Sequence, residues 1–247
     1  MDRRLLIVVV LVSLAGAGTA AVGSIDRPDR SASTRTALGT LVFQDNFDGR
    51  TLNTRRWAPY YSPGNAGNGL RRPSAFTLDG KGNLVVTARM VNGTLVSGGM
   101  AARMNYIYGR FQFRVRTEPD PSGTTSGVVL TWPKSDNWPV DGENDMYETG
   151  NHRSTRFPFE SFIHYGAGNQ QYEFVHRADG ARWHTMMMDW SRNAIKIYRD
   201  GRLVWRLTDA RAIPDVPHHL TIQLDALTRG ALAHPVRMYV DYVRVYK

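Results

Sequence analysis

Between Leu41 and Lys247 the chain repeats its apolar residues at every second position and almost nowhere at every third or fourth. In Arg110-Phe111-Gln112-Phe113-Arg114-Val115-Arg116 the alternation is unbroken, which places Phe111, Phe113 and Val115 on one face of a strand. The same period predicts strands over residues 84–88, 126–132, 161–165, 183–189, 220–225 and 236–246. Segments 194–199 and 202–207 flank Asp200-Gly201, a dipeptide suited to a two-residue type I′ hairpin turn. No stretch of twelve residues sustains a helical period, and 23 Gly with 12 Pro interrupt the chain too often for long helices. So many strands in one domain of about 210 residues require two stacked antiparallel sheets or a closed barrel. No repeat of fixed period points to a propeller or solenoid.

The first 37 residues read differently. Arg3 and Arg4 precede an apolar run from Leu5 to Leu14, and small residues follow to Gly23, so residues 1–23 are expected to be a signal peptide. The run from Leu5 to Gly23 also approaches the shortest membrane-spanning length, and an uncleaved anchor is the alternative and the one membrane contact expected. Residues 24–37, rich in Ser, Thr, Arg, Asp and Pro, are expected to form a flexible linker. Residues 38–247 remain as the folded domain, and the protein is expected to be secreted or held at the cell envelope. The chain has no Cys, so an exported domain must be held by its core alone, and thiolate metal sites and a cysteine nucleophile are excluded. The net charge of +9 is scattered, with Arg55-Arg56 and Arg71-Arg72 as mere doublets. No nucleic-acid partner is expected from that pattern. A monomer is expected.

Only 5 of the 22 acidic residues are glutamates, and two of these lie close together in Trp138-Pro139-Val140-Asp141-Gly142-Glu143-Asn144-Asp145-Met146-Tyr147-Glu148. In a strand Glu143 and Asp145 share a face, while Glu148 falls on the other. A β-bulge with one extra residue between Asp145 and Glu148 would bring all three carboxyls to one side. Such crowding is electrostatically costly, because like charges raise one another's pKa. Retaining glycoside hydrolysis needs it: two carboxyls about 5–5.5 Å apart serve as nucleophile and acid/base. A third carboxyl between them can orient the nucleophile and help keep the acid protonated. An exposed acidic strand end is the alternative; an EF-hand is excluded, because the segment lacks that loop's Gly at position six and Glu at position twelve.

These residues resemble glycoside hydrolase family 16 in its laminarinase-like branch. The likeness rests on Glu143-Asn144-Asp145-Met146-Tyr147-Glu148 with its Trp138-Pro139 and Gly142 lead-in. It extends through Phe43 to Gly49 with Trp57, Gly82-Asn83-Leu84, Tyr108 to Phe111, Trp183 to Trp190, Tyr198 to Gly201 and Val240 to Tyr246. The resemblance implies a concanavalin A-like jelly-roll β-sandwich of two curved antiparallel sheets with an open substrate cleft. It also implies Glu143 as nucleophile, Glu148 as general acid/base and Asp145 as their assistant. The family usually has an aliphatic residue where Asn144 stands. By alternation Asn144 faces the layer beneath, so it needs a hydrogen-bond partner there.

Sugar rings stack on aromatics, and Trp132 and Trp138, which flank the carboxylate strand, match positions lining the family's glycone side. Trp183, Trp190 and Trp205 are expected to pack inside the sandwich. His164 matches a cleft-facing His. Asn65 and Asn68, in a Gly-rich loop with Tyr60 and Tyr61, are expected to hydrogen-bond sugar hydroxyls. The resemblance further implies a structural Ca²⁺ on the convex side, with Asp241 as its carboxylate and Asn46 and Gly82 as carbonyl donors. Catalysis itself is expected to need no cofactor. The reading is an exported retaining endo-β-glycosidase acting on a polysaccharide, foremost a β-1,3-glucan. The alternatives are another β-glycan such as a galactan or mixed-linkage glucan, transglycosylation, or a glycan-binding sandwich without catalysis.

Overall fold

A computed structural model describes residues 38–247. The expected signal peptide (residues 1–23) and linker (residues 24–37) lie outside the described residues. Two antiparallel layers enclose one core, the jelly-roll sandwich expected from the sequence. One layer orders its strands Phe76–Leu78, Leu84–Val91, Val236–Tyr246, Gly109–Thr117, His184–Ser191, Ala194–Arg199 and Arg202–Leu207, with Leu41–Asp45 beside the second half of Val236–Tyr246. The other runs Trp57–Pro59, Thr94–Ala102, His218–Ala226, Thr125–Pro133, Glu143–Glu148, Phe159–Tyr165 and Gln170–His176. The hairpin of Leu84–Val91 with Thr94–Ala102 crosses between the layers.

Alternation decides what each strand buries. Phe111, Phe113 and Val115 are at most 1% exposed, while Arg110, Gln112, Arg114 and Arg116 stay outside. From the second layer Val129, Ile163, Leu220, Ile222 and Leu224 meet them in the same core. At about 25 cal/mol per Å² of apolar surface removed from water, such side chains contribute about 1.5–3 kcal/mol each, enough in sum to hold a domain without disulfides. Asp200 and Gly201 have φ of 52° and 80°, as the type I′ turn requires.

Of the three tryptophans assigned to the interior, Trp190 is 1% exposed and Trp205 stacks on Phe174 at its margin. Trp183 is instead on the outer face, under the guanidiniums of Arg114 and Arg116 and edge-on to Tyr239. Met186, Met188 and Trp190 are the buried positions of the strand His184–Ser191, so alternation carried back by odd steps gives Trp183 the outward parity, opposite to Trp190.

Candidate active site

Gly142 enters the carboxylate strand at φ +79°, and a Cβ there would lie 2.7 Å from Pro214 Cγ, so only glycine makes this turn without strain. Beyond it Glu143 faces His164, Asp145 faces Phe162 and Glu148 faces Glu160, with a register slip between Asp145 and Glu148. On the other edge Asp145 faces Leu130 and Glu148 faces Val128, again with a slip. The partners advance by two residues where this strand advances by three. Met146 and Tyr147 therefore both turn into the core, at 0% exposure, and the three carboxyls share the open face, as the bulge expected from the sequence requires.

The bulge is secured from below. Ser161 Oγ donates to the carbonyl of Met146 at 2.8 Å, and the Tyr147 hydroxyl donates to the carbonyl of Gly180 at 2.8 Å. Asn144 finds its partner in Thr131, Nδ2 donating to Oγ1 at 2.8 Å.

Above the strand, Trp138 Nε1 donates to Glu143 Oε2 at 2.7 Å, and the carboxyls of Glu143 and Asp145 are hydrogen-bonded to each other. His164 Nδ1 lies 2.9 Å from Asn169 Oδ1, an acceptor, so Nδ1 carries the hydrogen. Nε2 faces Asp145 Oδ2 at 3.2 Å, outside hydrogen-bond alignment, so that oxygen is unpartnered. Ligand atoms of Glu143, Asp145 and His164 all lie within 4.8 Å of one another. Burial raises the pKa of all three carboxyls, and Asp145 adds to it at Glu143 and Glu148. Hydrogen bonds decide where the protons stay. Trp138 and His164 favour the anion of Glu143, while the hydrogen bond between the two carboxyls raises the pKa of Glu143 and lowers that of Asp145.

Stability inherits an opposed pH dependence. Burial pushes Glu143 and Glu160 from 4.5 to about 8, so the unfolded chain releases these protons first and stability is lost as pH rises from about 4.5 to 8. Burial pulls His176 and His218 from 6.5 to about 3 and about 4. These must be neutral to remain folded, and their contribution is lost as pH falls below about 6.5. Tm is expected to peak between about pH 4.5 and 6.5, with decline on both sides by calorimetry; a steady rise to pH 8 would contradict the burial of the carboxyls.

Trp132 and Trp138 stack with ring centroids 6.2 Å apart at 11°, forming an aromatic wall beside Glu143, and Trp132 Nε1 donates to Asp136 at 2.8 Å. Asn65 has an exposed side chain, and its backbone N–H donates to Asp225 Oδ1 at 3.3 Å. Asn68 Nδ2 donates to the carbonyl of Leu227 at 3.0 Å, which ties the loop to the end of His218–Ala226. Asp241 is the extra residue at a second register slip, and Arg114 Nη1 reaches its Oδ2 at 2.6 Å. Asn46 and Gly82 do meet, the Asn46 carbonyl lying 3.8 Å from where a Gly82 Cβ would be. The carboxylate that the resemblance implies for calcium is thus paired with Arg114, a partly exposed ion pair.

Sequence reading passed over three groups. Arg71 pairs with Asp225 beside the cluster, and Asp225 acts electrostatically on Glu148. Glu160 is 1% exposed opposite Glu148. Arg156 is 0% exposed under the loop that leaves the carboxylate strand. For Glu160 a signal existed, since it is one of only 5 glutamates and precedes His164 by four residues.

A family model described as "Glycosyl hydrolases family 16" matches residues 68–244, more than half of the chain. "Glucan endo-1,3-beta-glucosidase A1" of Niallia circulans is 26% identical over 290 residues, 90% of this chain but 41% of its own length, so the chain spans less than half of that relative. "Beta-glucanase" of Bacillus subtilis (strain 168) is 29% identical over 215 residues, covering 83% of this chain and 86% of its own. Among solved structures, the laminarinase from Rhodothermus marinus superposes with TM-score 0.73 at 23% identity, over 84% of this chain and 97% of the other. LamAcat from Zobellia galactanivorans gives 0.69 at 20%, over 86% and 99%. At these identities the structures establish the shared fold.

Proposed function

The chain belongs to glycosyl hydrolases family 16 and is a glycoside hydrolase, and from that membership we propose that it is a retaining endo-β-glucanase cutting β-1,3-linked glucan outside the cytoplasm. The observation that carries the reading is the bulged strand with Glu143, Asp145 and Glu148 on one open face. Glu148 protonates the glycosidic oxygen as the C–O bond breaks, and Glu143 attacks the anomeric carbon to give a glycosyl-enzyme. Glu148 then takes a proton from water as that water releases the sugar and frees Glu143. Asp145 holds the nucleophile's orientation through the hydrogen bond between the two carboxyls. Trp132 and Trp138 offer ring faces to the sugars on the Glu143 side. Asn65 and the remaining polar edge of Asn68 serve sugar hydroxyls. No step needs a cofactor, the partner is the polysaccharide and not nucleic acid, and the protein acts as a monomer.

Support for β-1,3-glucan comes from the bulged spacing and from relatives named for endo-1,3-β-glucosidase and β-glucanase activity. Export is supported by the Arg3-Arg4 and apolar pattern near the start. The test is product analysis of the purified protein on laminarin, mixed-linkage glucan, agarose and a galactan, with NMR of the first-formed anomer. Release of β-anomeric oligosaccharides, fastest from laminarin, is the expected result. An initial α-anomer would overturn the retaining mechanism, faster cleavage of another polymer would overturn the substrate, and no cleavage at all would favour a glycan-binding sandwich.

A further inference from the structure

We propose that the outer face of the layer containing Gly109–Thr117, on the side of the sandwich away from Glu143, Asp145 and Glu148, is a docking surface for an acidic polysaccharide, a polyuronate whose carboxylates meet a row of braced guanidiniums. The basic excess that is scattered along the sequence gathers there in the fold. Register and alternation turn Arg110, Arg114 and Arg116 outward from Gly109–Thr117, Arg237 and Arg244 from Val236–Tyr246, and Lys196 from Ala194–Arg199. The carboxylates near these six cations are already engaged. Asp189 lies between Arg110 and Lys196, and Asp241 pairs with Arg114. Glu118 pairs with Arg237 and accepts from the Tyr239 hydroxyl.

Arg116 and Arg244 form no ion pair among the described residues, and each is laid over a ring instead. The Arg116 guanidinium carbon is 3.8 Å from the ring centroid of Tyr239 and 5.4 Å from that of Trp183. That of Arg244 is 4.4 Å from Tyr242, and Arg114 reaches over Trp183 at 4.6 Å. Such stacking fixes the plane of a guanidinium and leaves its N–H edge for an anion, so little side-chain freedom is lost when a carboxylate arrives. Tyr239 lies directly across from Arg116, and Tyr242 across from Arg114, so rings and guanidiniums adjoin over two strands. Arg114 and Arg116, two positions apart on one strand, repeat the charge at roughly 7 Å. Fixed cations in a row suit an extended polymer with regularly placed carboxylates, each of which a guanidinium can bind through two parallel hydrogen bonds. Nucleic acid fits less well. A sheet face offers no helix to enter a duplex groove, and the rings on which single-stranded bases would stack already carry guanidiniums. A polymer seated on this face leaves the cleft, on the other side of the sandwich, open to its own substrate.

Binding of the protein to immobilised polygalacturonate, read by biolayer interferometry, tests this. The wild type is expected to bind at low salt and to be released at about 1 M salt, where the screening length falls to about 3 Å. Arg116→Gln combined with Arg244→Gln is expected to weaken binding by about tenfold or more, with Tm and turnover of soluble laminarin as in the wild type. Arg50→Gln combined with Arg55→Gln removes the same charge from the exposed loop between Leu41–Asp45 and Trp57–Pro59, and should weaken binding by less than about twofold. An equal loss in the two double variants overturns the docking face, because net charge alone would then account for binding. Absence of binding by the wild type overturns it as well, and tighter binding of duplex DNA at the same salt overturns the choice of a polyuronate. The readout does not pass through the cleft, so failure of the glucanase reading and failure of this one are distinguishable.

Discussion

Glu143→Gln is expected to abolish β-glucan hydrolysis, by on the order of 10⁴-fold or more in kcat/KM, and to raise Tm. The amide cannot attack an anomeric carbon. Stability moves the other way. Glu143 is 9% exposed and hydrogen-bonded to another acid, so the substitution removes a charge the fold tolerates at a cost. A gain of about 1 kcal/mol corresponds to about 2–4 °C at this chain length. Glu148→Gln should lose about 10²–10⁴-fold, as for removal of a general acid, and should recover the first step on aryl glycosides whose leaving group needs no proton. Glu143→Gln should not recover on them. Unchanged turnover in Glu143→Gln would end the two-carboxylate reading, and a large fall in Tm would make that carboxyl structural.

Arg156→Ala is expected to cost about 3–5 kcal/mol, lowering Tm by roughly 10 °C. The guanidinium is fully buried, without an ion pair within 4.0 Å among the described residues, and Asp120 acts on it from farther off. Its Nε donates to the carbonyl of Glu118 at 2.8 Å, Nη1 to the carbonyl of Thr125 at 2.6 Å, and Nη2 to Thr125 Oγ1 at 2.9 Å. Thr149 Oγ1 lies 3.3 Å from Nη1. Truncation strands these acceptors, each costing about 1–3 kcal/mol until water enters. Burial pulls the guanidinium down to about 10, leaving it charged at neutral pH, so its hydrogen bonds remain charge-assisted. Arg156→Lys should rescue little, since an ammonium cannot reproduce the fork. Activity should fall with Tm, because the clamped loop follows directly on the strand Glu143–Glu148. A loss under about 1 kcal/mol by urea titration would show that the loop is held by other means.

Much of this molecule is legible in the sequence because one physical rule, alternation, governs its strands. Gly109–Thr117 and the hairpin at Asp200-Gly201 follow from pattern alone, and the carboxylate strand from the need to bring Glu148 onto the face of Glu143. What escapes has identifiable reasons. Thr94–Ala102 is small and buried on both faces, so it shows no period. Gln170–His176 is an edge strand exposed enough to read as loop. Glu160 is hidden by a boundary error: the strand begins at Phe159, whereas a start at residue 161 leaves its glutamate outside. The pairing of Asp241 with Arg114 also escapes, because Arg114 lies 127 positions away in sequence. No local pattern reveals such a contact.

The bulge at Met146 and Tyr147 works as a phase shifter. Upstream, even-numbered side chains go to the core and odd-numbered ones to the sugar; downstream the parity is reversed. The information that makes this strand catalytic is thus stored partly in a count, independent of residue identity. A chain could keep every acid and lose the site through one deletion, because a single-residue slip exchanges the faces of all that follows. Selection on such an enzyme would act on length in this segment as strictly as on composition, while the loops beside it remain free to grow.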